Sequence, residues 1–323
     1  MRVFVTGGTG ALGTPTVGVL RSRGHDVRAL ATGPESAARL RATGAEPVPG
    51  SLFDRELVAT ALAGSDVVLH LATRIAPLST ARRRSAWAEN DRIRAQGTRV
   101  LVDAALAAGV GAVVYPSFAP VYADGGAEWL CWGSPIAPTD VLESTVVAER
   151  EVERFSAAGG RGVALRMAGV YGPHSAATRD VLALAHRGVS GFVGRPEAYQ
   201  PLIWDEDAAT ALVAAAESTE LRGGYDVADD EPMTREELAR ALTTAVRRRS
   251  VRRPPTPLVR AALGRRLDFF LRSQRVSNRP FRDATAWAPR VPSAAEGLCR
   301  LGTNCQDDAT ATPHRSSVPH EGR

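Results

Sequence analysis

Three glycines, Gly7, Gly10 and Gly13, stand at three-residue intervals in the stretch TGGTGALG, residues 6 to 13. An apolar run, RVFV, leads into them, and a helical pattern, TPTVGVLRSRG, comes directly after. Glycine permits the tight turn between strand and helix. It also lets the backbone approach a pyrophosphate, which then lies at the positive end of the helix. The expected chemistry is dinucleotide binding, with Gly7, Thr9, Gly10, Ala11, Leu12 and Gly13 around the phosphates. The basic residues restrict the chemistry further. All 40 of them are arginine, so no mechanism that needs a lysine ammonium is open to this chain.

An acidic residue at the end of the second strand normally accepts hydrogen bonds from the adenosine ribose and selects NAD. Here that strand ends RALATGPES, with neutral Ala31 and Thr32 and with Arg28 and Arg39 nearby. No carboxylate is present to repel a 2′-phosphate, so NADP(H) is the expected cofactor and NAD(H) remains possible. Arg28 reads equally as a surface residue.

These groups need a frame to position them. RVFVTG, DVRALA, AEPVPG, DVVLHLA and GAVVYPS read as strands, separated by the helical patterns ESAARLRAT, ELVATALAG and GTRVLVDAALAAG. Buried β-branched runs alternating with helices indicate a parallel sheet covered on both faces. The fold class expected is α/β, a Rossmann-type doubly wound parallel sheet with a smaller C-terminal substrate-binding region. One unit is expected over 1–300, with 1–165 mainly dinucleotide-binding and 166–300 supplying most of the substrate region. REELARALTTAVRRR and TPLVRAALGRRLDFFLRS read as outer helices. Residues 301–323 are polar and are expected to be disordered.

Composition excludes several classes. Hydrophobic content is 44% and charged content 23%, ordinary for a soluble domain, and no apolar run approaches the ~20 residues of a membrane span. MRVFVTGG already reads as a strand entering the glycine loop, so no leader is expected. Cys131, Cys299 and Cys305 are too few and too scattered for a disulfide framework or a zinc site, which suggests reduced thiols and a cytoplasmic location. The net charge is +5, and the runs ARRRS and RRRSVRR lack interleaved aromatics, so they read as solvated surface. The expectation is no metal, no nucleic acid and no membrane partner, in a monomer or homodimer.

At this point the chain resembles the extended short-chain dehydrogenase/reductases, the group of NAD-dependent epimerases and dehydratases. The likeness spans about residues 1–298. The glycine loop matches the family's coenzyme motif. GSLFD (50–54) is similar to its adenine-contacting segment, implying contacts from Ser51 and Leu52. VVLHLAT resembles the strand that runs along the cofactor, implying Leu71, Ala72 and Thr73. LRMAGVYGP resembles the segment that reaches the nicotinamide, implying Met167 and Val170, with Pro116 on the neighbouring strand.

The departures concern the chemistry. The family uses Asn, Ser or Thr, Tyr and Lys. Alignment of YPSFAPVY (115–122) places Phe118 at the catalytic hydroxyl, with Ser117 one residue before it. Val141 falls at the tyrosine, Thr145 at the lysine and Arg94 at the asparagine, with Asn90 one turn earlier. No tyrosine lies between Tyr122 and Tyr171. Positioned acid–base groups typically contribute ~10²–10⁴ in rate, and that apparatus is missing.

Three functions are compatible with this pattern. One is a ketoreductase like the atypical enzymes of aromatic polyketide pathways, acting on a polycyclic ketone whose own phenol supplies the proton. Another is a non-catalytic dinucleotide sensor. The last is a nucleotide-sugar epimerase or dehydratase, disfavoured by the missing tyrosine and by Gly169 where an asparagine is usual. Candidate proton donors are Ser117, Tyr122 and His174, none of them required. Candidate substrate contacts are Arg74, Arg94, Ser117, Phe118, Tyr122, Trp129, Trp132, His174 and Tyr199. Each has a plainer role open to it: core packing for the aromatics, a solvated face for the arginines.

Overall fold

The β-branched runs become seven parallel strands: β1 (Arg2–Thr6), β2 (Asp26–Ala31), β3 (Glu46–Pro49), β4 (Val67–His70), β5 (Ala112–Phe118), β6 (Arg161–Met167) and β7 (Gly223–Val227). A computed structural model describes residues 1–77 and 79–310, with backbone alone at 263 and 303–310. The sheet order is β7-β6-β5-β4-β1-β2-β3. The winding reverses between β1 and β4, which makes the carboxyl ends of those two strands the switch point where ligands bind in such sheets.

Helices cover both faces: α1 (Gly13–Ser22), α2 (Pro34–Ala42), α3 (Arg55–Leu62), α4 (Ala88–Arg92), α5 (Thr98–Ala107), α6 (Glu143–Ala157) and α8 (Asp205–Glu217), while α7 (Ala176–His186) belongs to the smaller region. Alternation along the strands divides the core. Val3, Val5, Val114 and Leu165 pack with Val17 and Leu20 of α1 and Leu212 of α8. Phe4, Val68, Val113 and Tyr115 pack with Leu62 of α3, Leu101 of α5 and Phe155 of α6. Each such side chain contributes about 1.5–3 kcal/mol on burial.

The smaller region has its own core. Tyr171, Leu182 and Trp204 pack with α9 (Arg235–Ala245) and the late helix over Ala294–Thr310, through Leu238, Leu242, Leu298 and Leu301. Trp204 is therefore core, edge-on to Tyr171.

Two expectations are corrected. TPLVRAALGRRLDFFLRS is not one helix. Gly264, at φ +71°, ends α10 (Thr256–Leu263), and Arg265–Leu271 continues as 3₁₀ turns. Positive φ is easy for glycine and breaks the helical hydrogen-bond pattern. The polar tail does not begin at 301, because the last helix continues to Thr310 and buries Leu301 against the smaller core. Residues 311–323 lie outside the described residues. No helix among the described residues is long and apolar enough to cross a membrane.

Candidate functional site

The glycine loop lies at the switch point. Gly7 has φ +72°, and a β-carbon there would stand 2.6 Å from the backbone of Ala72. A β-carbon on Gly13 would stand 2.1 Å from the Gly7 carbonyl oxygen, which instead accepts the Gly10 amide at 3.0 Å. Both positions are closed to any other residue, so the turn is a fixed cradle. Gly10 and Ala11 are exposed on its open side, where amides at the start of α1 are available to a phosphate. Leu71 and Ala72 line the wall facing Gly7, and Thr73 and Arg74 are exposed beyond them. This cradle fits the pyrophosphate of a dinucleotide.

At the end of β2 the two arginines separate. Arg28 donates to the Ala61 carbonyl at 3.0 Å and lies 4.0 Å from Glu46, on the α3 side. Its strand position turns it away from the loop, which corrects its assignment as a cofactor contact. Arg39 of α2 instead reaches back, donating to the Thr9 carbonyl at 2.6 Å. It is thereby held at the glycine loop, where it could meet a 2′-phosphate. Ser51 is exposed, with its hydroxyl accepting the Phe53 amide, and Leu52 is buried.

Further along the carboxyl edge lie Pro116 in β5, Met167 at the end of β6 and Val170 just beyond it. Phe118 pairs in register with Met167. Its ring stands edge-on to Phe269 at 6.2 Å. Around it gather Trp87, Val121, Val141, Leu142, Val146 and Leu267. The positions that align with the family's hydroxyl and tyrosine, Phe118 and Val141, are thus part of one apolar wall. Phe269 and Leu267 come from the 3₁₀ segment, which Arg235 holds. That buried guanidinium donates to the carbonyls of Phe270 (2.8 Å) and Arg272 (2.7 Å).

Behind this wall runs a buried polar network. The Ser117 hydroxyl donates to Glu149 of α6, and Arg166 of β6 clasps the same carboxylate through Nε and Nη2, each at 2.9 Å. Arg166 also stacks on Trp132 at 4.1 Å and Tyr122 at 4.8 Å. The Tyr122 hydroxyl donates to Asp226 of β7 at 2.7 Å. Burial, and then the Asp226 charge, raise the Tyr122 pKa far above the usual phenol range. Burial also pushes Asp226 up to about 7, against the pull of Tyr122 and Arg166. Ser117 and Tyr122 therefore serve this network, and neither is placed to release a proton.

His174 differs. Its backbone amide and Nδ1 both contact Oδ2 of the buried Asp205, at 2.9 and 3.1 Å, and its side chain is 43% exposed. Asp205 orients the ring, but among the described residues no hydrogen bond or ring contact joins His174 to Ser117, Phe118 or Tyr122.

The other aromatic candidates gather on two arginines, Arg166 and Arg275. Trp132 lies flat on Gly224 of β7, where a β-carbon would meet its ring at 2.0 Å, and is half-buried. Trp129 is 50% exposed and stacks on Arg275, which also approaches Tyr199. Short strand pairing carries Trp129 and Arg275 to the surface together. Phe269 and Trp87, which do join Phe118, went unread because their segments resemble a surface helix and a loop. Glu149, Arg166 and Asp226 were also missed. An arginine inside the otherwise apolar strand RGVALRM was the available signal, since a buried cation demands a carboxylate.

Arg94 occupies a single π-helical turn, Ile93–Gly97, between α4 and α5. It is buried and donates to the Thr145 hydroxyl on α6. Burial, and then the Arg94 charge, hold His70 near 4, so this imidazole is neutral at physiological pH. His70 at the end of β4 contacts the Thr6 hydroxyl of β1 at 2.7 Å. Asn90 anchors the loop after β4, accepting the Arg74 amide at 3.0 Å.

Comparison with known proteins agrees with this arrangement. The model of the NAD dependent epimerase/dehydratase family matches residues 3–228. The chain is 35% identical to a 3-diazoavenalumate denitrifying reductase from a Streptomyces species, over 93% of this chain and all of that protein. It is 40% identical to a 4-hydroxy-2-methyl-3-oxo-4-farnesyl-3,4-dihydroquinoline-1-oxide ketoreductase of Stigmatella aurantiaca, over 39% of this chain and 36% of the relative. Among solved structures it is similar to human epimerase family protein SDR39U1 (isoform 2) with NADPH, with TM-score 0.79 and 25% identity over 94% of this chain and all of the other. With its glycine cradle at the sheet's switch point, the chain belongs to the NAD-dependent epimerase/dehydratase family, whose fold binds NAD(P).

Proposed function

We propose that the chain is an NAD(P)H-dependent ketoreductase that reduces a ketone of a polycyclic aromatic, angucyclinone-type polyketide in antibiotic biosynthesis. The observation that carries this is the pairing of an intact dinucleotide cradle with an apolar wall, Phe118, Val141, Val146 and Phe269, where a proton donor would stand. A bound reduced nicotinamide supplies hydride. The wall residues would supply an apolar surface for an aromatic ring system.

The proton comes from the substrate. A phenol hydrogen-bonded to the ketone polarises the carbonyl. Hydride added at the carbonyl carbon would leave an alkoxide that this phenol protonates, and the phenolate would regain its proton from solvent once the product has left. Two relatives named as reductases of small molecules support the reductase reading. The Streptomyces protein is named for reducing a diazo compound and the Stigmatella protein for reducing a ketone in a quinoline ring. Neither relative is named for an angucyclinone, so that substrate class rests on the resemblance to the atypical ketoreductases of aromatic polyketide pathways. Arg39 favours NADPH, and NADH is tolerated.

A dinucleotide sensor is the alternative, and the missing donors suit it equally. Mixing the protein with NADPH and a panel of hydroxylated polycyclic quinones, while following the reduced-nicotinamide absorbance, separates the two. Turnover of at least one compound is expected. Tight NADPH binding with no turnover of any compound would favour the sensor.

A further inference from the structure

Among the described residues no carboxylate lies within salt-bridge distance of the buried Arg94, and its Nε has no hydrogen-bond partner. The neighbouring buried arginine, Arg166, is by contrast clasped by Glu149 through two bonds. A guanidinium removed from water loses hydration that a single threonine hydroxyl does not replace, so it calls for a further acceptor. The cluster around it repeats the pattern. Asn90 Nδ2, Thr98 Oγ1, the Tyr115 hydroxyl and Ser144 Oγ are also buried and unbonded.

The position of this cluster indicates the acceptor. The pyrophosphate belongs at the glycine loop, at the end of β1. The adenosine half would follow along the end of β2, toward Thr32. The other half must then cross the switch point over the ends of β4 and β5. Arg94 sits there. It acts electrostatically on His70, the last residue of β4, and on Tyr115 of β5, and it is bonded to Thr145 of the helix covering both. The π turn that carries it is an irregularity of the kind that re-aims a side chain at a functional site.

We propose that Arg94, held by Thr145, binds the hydroxyls of the nicotinamide-side ribose and so fixes the reacting end of the dinucleotide in a chain that has no lysine. Free N–H groups of the guanidinium form a fork suited to two neighbouring hydroxyl oxygens. This rests on the NAD(P)H reading above, and its test needs no turnover. NADPH and the fragment adenosine 2′,5′-bisphosphate, which lacks that ribose, are titrated by calorimetry against the wild type, Arg94→Met, Arg94→Lys and Thr145→Val. Thermal unfolding checks the fold of each variant.

Arg94→Met should weaken NADPH by about 10- to 100-fold, as loss of a charged hydrogen bond does, with the fragment unchanged within about twofold. Arg94→Lys should recover part of the loss, and Thr145→Val should show a smaller one. Should Arg94→Met not fold, the lysine and valine variants still decide, through the same comparison of whole cofactor with fragment. Unchanged NADPH affinity, or equal weakening of NADPH and fragment, overturns the assignment. So does an effect of Arg94 that emerges only when an acidic substrate is added. Wild type that binds NADPH but reduces nothing would sink the ketoreductase reading and leave this one standing.

Discussion

Asp226 offers a quantitative test of the buried network that withholds Ser117 and Tyr122 from proton transfer. Its carboxyl is 2% exposed, accepts the Tyr122 hydroxyl at 2.7 Å, and has a pKa near 7 against 3.8 for an ordinary aspartate. A carboxyl whose pKa is raised by folding binds its proton more tightly in the folded state. Its contribution is therefore fully present below pH 3.8 and is lost as pH rises through 7. The gap is about 3 pH units at about 1.4 kcal/mol each, so the raised pKa lowers stability by about 4 kcal/mol at pH 8 and about 2 kcal/mol at pH 5. Asp226→Asn removes the titration and keeps an oxygen for Tyr122. Any constant penalty from the new amide is the same at both pH values. Urea unfolding of wild type and variant should then show the variant gaining about 2 kcal/mol relative to wild type between pH 5 and pH 8. A stability difference that does not change with pH, or that shrinks, refutes the placement of an ionisable Asp226 in this network. NADPH binding should be unchanged throughout.

Glu149→Ala strands the buried Arg166 and should cost about 3–5 kcal/mol of stability, whereas Glu149→Met with Arg166→Met should recover most of it; no recovery in the double variant would show that the pair is not the cause. Thr32→Asp should weaken NADPH more than NADH by repulsion of the 2′-phosphate, and Arg39→Ala should do the same by loss of a cation; equal effects on both cofactors would move the adenosine end elsewhere. Ser117→Ala, Tyr122→Phe and His174→Ala should each retain activity within about tenfold, the cost of an orienting hydrogen bond, against ~10²–10⁴ for an essential acid. His174 is the most telling of the three, since Asp205 orients it and leaves it partly exposed.

The sheet was legible because its signals are local. The strands from RVFVTG to GAVVYPS lie within a residue or two of their expected places, and the glycine loop needs the φ and close contacts that its spacing implies. The missing tyrosine and lysine were legible as well, since composition alone excludes the lysine. What lay beyond reach depends on contacts between distant segments. Glu149 reads as one more charge on a helix until β6 brings Arg166 against it. Trp129 and Trp132 read as substrate contacts, and only the folded chain shows Arg275 stacked on the first and Gly224 under the second. Phe269 joins Phe118 only because Gly264 breaks the helix that the pattern suggested.

The source of the proton is the claim on which the proposed chemistry turns. It is tested most directly with a paired substrate: a polycyclic ketone that the protein reduces, and the same compound with the phenol beside that ketone methylated. Binding of each is measured in the presence of oxidised cofactor, and turnover is followed at the reduced-nicotinamide band. The account predicts binding within a few-fold for the pair and a loss of turnover of at least ~10²-fold on methylation, the scale of a lost general acid. Equal reduction of the methyl ether would contradict it and would require a protein donor, with His174 the first to replace.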